Sequence, residues 1–210
     1  MLINAAVLDP EAGELVEGQT VVVEGDRVAE TGPTAAVSAG DAAVLDVRGM
    51  TVMPGLIDAH VHVTAATADL EALEGWSPSY VTARAAGILR GMLDRGFTTV
   101  RDVAGADFGI AAAVAEGLLA GPRVRFGGKA LSQTGGHGDS RGPGRVVLDQ
   151  HPCCPTLTTI ADGVAEVRKA AREQLRRGAH HVKVMLSGGV ASPTDRIDST
   201  QYSMEELRAV

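Results

Sequence analysis

Two histidines separated by one residue, His60 and His62, close the stretch Met53-Pro54-Gly55-Leu56-Ile57-Asp58-Ala59-His60-Val61-His62. In extended backbone an i, i+2 pair aims both side chains at one side of the strand. Two imidazole nitrogens meeting at one point can grip a divalent metal, although a pair near a strand end can equally well satisfy local hydrogen bonds. Three other places in the chain carry chemistry. Lys183 sits inside the apolar run His180-His181-Val182-Lys183-Val184-Met185-Leu186. An unpaired ammonium there would cost several kcal/mol (order of magnitude) and would escape by a lowered pKa; by residue type alone it reads as a snorkelling or salt-bridged lysine. His137 stands among glycines in Gly135-Gly136-His137-Gly138-Asp139, a candidate substrate-binding group or a plain surface histidine. His151, Cys153 and Cys154 could hold a metal, but adjacent cysteines in a Pro-bounded loop are too strained for a routine disulfide and too few for a scaffold.

These residues need strands and loops to place them. Leu56, Ile57, Val61 and Val63 give the histidine pair the apolar context of a buried strand, Pro54-Gly55 feeds it by a turn, and Asp58 is close enough to serve as an outer-shell partner. Upstream, residues 1 to about 50 read as short strands, Leu2 to Leu8, Thr20 to Glu24, Arg27 to Glu30 and Ala43 to Val47, with a hairpin over Gly25-Asp26. Downstream the rhythm becomes βα. Ser77-Pro78 opens a helix whose Val81, Ala85, Ile88, Leu89, Met92 and Leu93 recur at helical spacing up to Gly96; Phe97 to Val100 is a strand ending in Arg101-Asp102. A helix over Phe108 to Leu119 precedes a strand at Val124 to Phe126. Ala130 to Pro155 reads as a long loop, Ile160 to Arg177 as a helix burying Val164, Val167, Ala171 and Leu175, and Ser203-Met204-Glu205-Glu206 as a capping-box start.

Composition narrows the field. Nineteen Lys and Arg against 26 Asp and Glu leave a net charge of −7, which argues against a nucleic-acid partner, and no basic stripe occurs. Aromatic residues make up 3% of the chain, so its core must be built from small aliphatic side chains, as α/β folds allow. Neither a secretory leader nor an apolar run of about 18 residues is present, so no membrane partner and a cytoplasmic location are expected.

The segment from Pro54 to His62 resembles the signature of the amidohydrolase superfamily, metal-dependent hydrolases built on a TIM (β/α)8 barrel. The resemblance implies an α/β fold in which residues 53–210 form the first four βα units of such a barrel, with loops after strands on the active-site face, and residues 1–52 form part of a small β-sandwich. It implies that His60 and His62 close the first barrel strand as metal ligands. Lys183, in Val-Lys-Val-Met, matches the lysine of the fourth strand, which reacts with carbon dioxide to give a carbamate, a bridging carboxylate. The implied cofactor is one or two divalent ions, zinc by the donor set, with manganese or cobalt as alternatives. Thr98-Thr99-Val100-Arg101-Asp102, Gly136-His137-Gly138 and Lys183-Val-Met-Leu-Ser-Gly-Gly resemble the branch of imidazolonepropionase-like proteins and prolidase-type dipeptidases, where a histidine matching His137 meets the substrate carboxylate. The implied reaction is hydrolysis of a C–N bond in an Xaa-Pro or related dipeptide or an N-acyl amino acid, with a cyclic amide as the alternative.

The chain departs from that pattern in one respect. The family's further histidines, from the fifth and sixth strands, and its general-base aspartate, from the eighth, have no counterpart before Val210. No catalytic base is therefore expected within this chain, which reads as the N-terminal piece of a longer enzyme with open sheet edges and an uncovered apolar face. A second reading makes it an inactive remnant or a half-subunit. The expected partners are a small amide or dipeptide, a second copy, or a complementing C-terminal half.

Overall fold

The computed structural model describes residues 1–38, 40–144 and 156–210. His151, Cys153 and Cys154 lie outside the described residues. The chain divides into two units, Met1–Gly55 and Leu56–Val210.

The first unit is one sheet. Strands β1 (Leu2–Asp9), β2 (Glu14–Glu24) and β3 (Arg27–Pro33) form an antiparallel meander in which Glu24 faces Arg27 across the Gly25-Asp26 turn. Two short strands, β4 (Leu45–Asp46) and β5 (Thr51–Val52), run parallel to β1, giving the order β3-β2-β1-β4 with β5 also on β1. Strand β2 is longer than its apolar core because Glu14 to Val16 extend the pairing to Val7, Leu8 and Asp9.

In the second unit, β6 (Leu56–Val61), β7 (Phe97–Asp102) and β8 (Arg123–Phe126) make a parallel sheet in that order. Two helices return the chain between strands. In α1 (Pro78–Asp94), Val81, Ala85 and Leu89 recur every four residues and are buried. Pro78 starts it without loss because the first helical N–H has no partner anyway; Ser77 stands at the cap position, but its Oγ bonds Ser79 Oγ at 2.7 Å rather than the helix backbone. In α2 (Phe108–Ala115), Asp107 accepts from the Ile110 N–H at 3.1 Å. This helix stops short of the expected Leu119 because Gly117 turns into the left-handed region, φ 77°. Ala85, Leu89 and Ile110 pack with Val61, Val63, Val100, Val124 and Phe126 to form the core. Ile57 is 70% exposed and Leu56 42%, so the buried setting expected for the strand holds only for Val61 and Val63. β6 is an edge strand, and among the described residues nothing pairs with its free side.

Beyond β8 the structure differs from the sequence expectation in three ways. The stretch read as a continuous loop contains β9 (Ala130–Ser132), paired in parallel with β10 (Thr158–Ile160). That pairing claims Ile160, so α3 begins later, at Gly163, and runs to Arg176. Its buried stripe is Val167, Ala171 and Gln174, while Val164 and Leu175 are 37% and 50% exposed, because Gln174 turns inward to accept the Lys129 N–H at 3.0 Å. The run containing Lys183 is a single bridge, Val184 to Leu131, flanked by Leu131 N–H to Lys183 O at 2.8 Å and Met185 N–H to Leu131 O at 3.0 Å. With one pairing partner, residues 181–185 are only half-buried and Leu186 is exposed. The expected full burial of Lys183 is thus not supplied by the described residues. At the end of the chain α4 (Met204–Leu207) has the complete capping box, Ser203 Oγ with the Glu206 N–H and Glu206 with the Ser203 N–H. No described helix is long and apolar enough to cross a membrane.

Candidate metal centre

The carboxyl ends of β6 and β7 and the segments that follow them build the site. β6 and β7 slip register between Asp58 and Val61, so that Ala59 and His60 occupy an irregularity in the ladder. The imidazoles of His60 and His62 lie edge to face, with ring centroids 5.4 Å apart.

The two rings are held differently. His62 is half-buried and its Nδ1 lies 3.0 Å from the Ala104 carbonyl oxygen. A carbonyl can only accept, so Nδ1 carries the hydrogen and Nε2 is left with a free lone pair, the form in which imidazole binds metal. Burial pushes the His62 pKa down, the Ala104 carbonyl acts against this, and the charges of His60, Lys183 and His137 push it down further. The ring that must stay neutral to act as a ligand is thus held neutral, and the three other residues singled out from sequence are all close enough to act on it. His60 is exposed, and its backbone N–H, not its ring, meets Asp58 Oδ1 at 3.0 Å. The partner of the His62 ring is thus a main-chain carbonyl, and Asp58 meets the pair through the His60 backbone. Among the described residues no three His, Cys, Asp or Glu side chains converge on one point. Of the residues singled out from the sequence, His62 and His137 line one cavity, while His60 reaches His62 through the ring contact.

His137 lies on the other side of a cavity of about 380 Å³ that it lines together with His62, Ala104, Glu74, Thr158 and Met185; His60 and Lys183 do not line it. Its Nδ1 is 2.6 Å from Ser192 Oγ, and its backbone N–H donates to Gln201 Oε1 at 3.0 Å. Gly189 packs so tightly on the imidazole that a Cβ there would come within 2.1 Å of Cε1. The loop around His137 is tied down by Asp139, which is 2% exposed and takes a bidentate pair from Arg141 at 2.7 and 2.6 Å; these bonds hold its carboxyl below the ordinary range against the opposing effect of burial.

Asp102 was missed as a functional candidate. It ends β7, is fully buried, and accepts three main-chain N–H groups, from Val63 at 2.7 Å and from Ala104 and Ala106 at 3.1 Å each. Burial pushes its carboxyl up to about 7 against the pull of those three donors. Its signals in the sequence were an acid closing a strand and its place in Thr98-Thr99-Val100-Arg101-Asp102.

Comparison with known proteins identifies the family. Ochratoxinase of Aspergillus niger is 34% identical over an alignment of 228 residues that takes in all of this chain and 46% of that protein. A crystal structure of a prolidase complexed with N-methylphosphonate-L-proline superposes with a TM-score of 0.94 at 47% identity, over 99% of this chain and 51% of the other. A Xaa-Pro dipeptidase with methionine bound in its active site gives 0.84 at 27% identity, over 100% and 52%. The chain spans about half the length of the relatives it matches. Residues 51–210 fit the sequence profile of the Amidohydrolase family, and the chain belongs to that family.

Proposed function

We propose that this chain is the metal-gripping half of a hydrolase that cleaves a C–N bond in a dipeptide of the Xaa-Pro type or an N-acyl amino acid. The observation that carries the proposal is His62, whose Nδ1 is engaged by the Ala104 carbonyl and which lines the cavity that His137 shares. The phosphonate-proline ligand of the 47% identical prolidase supports a substrate ending in a carboxylate, and the ochratoxinase relative supports an amide. Residues 56–210 are read here as the first half of a (β/α)8 barrel, and the parallel βα order of β6 to β8 supports this.

His60 and His62 would hold a divalent metal, zinc by donor chemistry, with Lys183 as a carbamate adding an oxygen donor. When bound, such an ion supplies an activated water and polarises the scissile carbonyl. The chain's own residues do the rest. His137 would receive the substrate carboxylate by an N–H of its ring, with Nδ1 engaged by Ser192 and the loop around it clasped by Asp139 and Arg141. His62 holds no proton at Nε2 and keeps one at Nδ1. The general base that the family resemblance expects from a later strand has no counterpart in these residues, so the 210-residue chain alone is expected to be inactive.

The test is hydrolysis of Xaa-Pro dipeptides, N-acyl amino acids and cyclic amides by the zinc-loaded product of the reading frame extended past Val210, beside the 210-residue chain. Turnover by the longer protein, abolished by His60→Ala or His62→Ala, is expected, with none from the shorter. Turnover by the 210-residue chain that His60→Ala abolishes would overturn the division of labour, and a longer protein whose hydrolysis ignores both substitutions would overturn the metal reading.

A further inference from the structure

We infer that Asp102 is a positioning residue for His62, fixing both the backbone from which the imidazole springs and the carbonyl that selects its tautomer. The inference rests on the reading of His62 as a metal ligand.

A fully buried carboxylate with no cationic partner among the described residues is costly, and a valine or leucine would suit the neighbouring core of Val61, Val63, Val100 and Phe126 better. What the acid does there is shown by the three amides it collects. Val63, whose N–H meets Oδ2, directly follows His62. Ala104, whose N–H meets Oδ1, supplies the carbonyl that takes the His62 Nδ1–H. Ala106 meets the same oxygen. The two bonds to Oδ1 pin the peptide units on either side of the one that contains the Ala104 carbonyl. That central unit is held as well, by Gly105 N–H to the Gly128 carbonyl at 2.8 Å. The carbonyl is thus left with one direction, toward His62.

Gly105 carries an independent mark of the same constraint. Its φ is 115°, and a Cβ on it would come within 2.0 Å of Thr64 Oγ1. Only glycine fits that turn, and the turn is what aims the carbonyl. A chain that keeps a buried charge and a glycine-only conformation around one carbonyl is maintaining the direction of that carbonyl. For a metal-binding histidine, a partner on the second ring nitrogen fixes orientation and tautomer, and its loss typically lowers metal affinity by about 10–100-fold.

The experiment compares the wild-type chain with Asp102→Asn, in which the side-chain NH2 faces a main-chain N–H and one of the three amides loses its acceptor. Long-range imidazole 15N–1H spectra, recorded above the imidazole titration range, report the His62 tautomer directly, and zinc titration calorimetry reports affinity. Expected are an Nδ1–H tautomer at His62 in the wild type, a mixture in Asp102→Asn, unchanged signals from His180, and zinc bound about 10–100-fold more weakly. An Nε2–H tautomer in the wild type overturns the inference without any variant, so it stays falsifiable if Asp102→Asn does not fold. A folded Asp102→Asn with the wild-type tautomer and zinc affinity overturns it too. Wild-type zinc binding that is absent or indifferent to His60→Ala and His62→Ala refutes the metal reading instead, and the tautomer comparison still decides what Asp102 does.

Discussion

Asp102 should leave a pH signature on stability that runs opposite to the usual one for a carboxylate. Burial raises its carboxyl from the ordinary 3.8 to about 7. Below 3.8 both folded and unfolded chains hold the proton and the residue contributes nothing. Between the two values the folded chain binds the proton more tightly, so stability falls as pH rises. Above 7 both states are ionised and the whole penalty is present. At about 1.4 kcal/mol per pH unit the full penalty is about 4 kcal/mol, and about 2.5 kcal/mol of it develops between about pH 5 and about pH 8.

His62 and His181, both lowered from 6.5 chiefly by burial, slope the other way, withdrawing stability as pH falls below 6.5. The raw profile of the wild type is therefore a mixture, and the difference from Asp102→Asn, which cannot titrate at that site, isolates the acid. Urea unfolding followed by the fluorescence of Trp76, the single tryptophan, reports on the unit that contains Asp102. The stability of the wild type relative to Asp102→Asn should drop by roughly 2.5 kcal/mol from about pH 5 to about pH 8. A difference that is flat over that range, or that rises with pH, would refute the reasoning and show that the three amide donors outweigh burial.

Two further outcomes follow from packing. Gly189→Ala should drive the His137 ring off Ser192, because the new Cβ would stand 2.1 Å from Cε1; the His137 imidazole signals should move while those of His62 stay, and an unmoved His137 would contradict the geometry. Leu89→Ala removes a fully buried side chain from the α1 face of the core and should lower stability by about 2–5 kcal/mol in the same urea assay, a loss below about 1 kcal/mol showing that the core collapses around the gap.

The parts of this molecule that were legible in its sequence are those specified by local patterns. Val81, Ala85 and Leu89 announce α1 by spacing, Gly25-Asp26 announces a hairpin, and Ser203 with Glu206 announces a capping box. The i, i+2 spacing of His60 and His62 announced two neighbouring rings, which lie 5.4 Å apart, but not the register slip that holds them. What failed to read were decisions made across the fold. Ile160 has the composition of a helix start but pairs with Ser132 in a strand. Asp162 stands at the cap position of α3, yet its carboxylate accepts from Thr134 N–H at 3.0 Å and Thr134 Oγ1 at 2.7 Å rather than from the helix. Leu175 keeps the helical period and is nevertheless exposed, since Gln174 has the partner on the inside.

The candidate site shows the same division at the scale of single groups. Parallel strands set their carboxyl ends at one edge of a sheet, so His62 and Asp102, 40 positions apart in sequence, reach the same few ångströms once β6 and β7 pair. The connection passes through a main-chain N–H at one end and a main-chain carbonyl at the other, and main-chain groups have no letter in a sequence. A partner for the His62 ring sought among side chains leads to Asp58, the nearest acid, whereas the ring meets the carbonyl of Ala104, a residue whose side chain has no chemistry. The consequence extends to mutation: the substitution most damaging to His62 outside the ligand set should fall on Asp102 or Gly105, which shape that carbonyl, and not on the acid two residues before the first histidine.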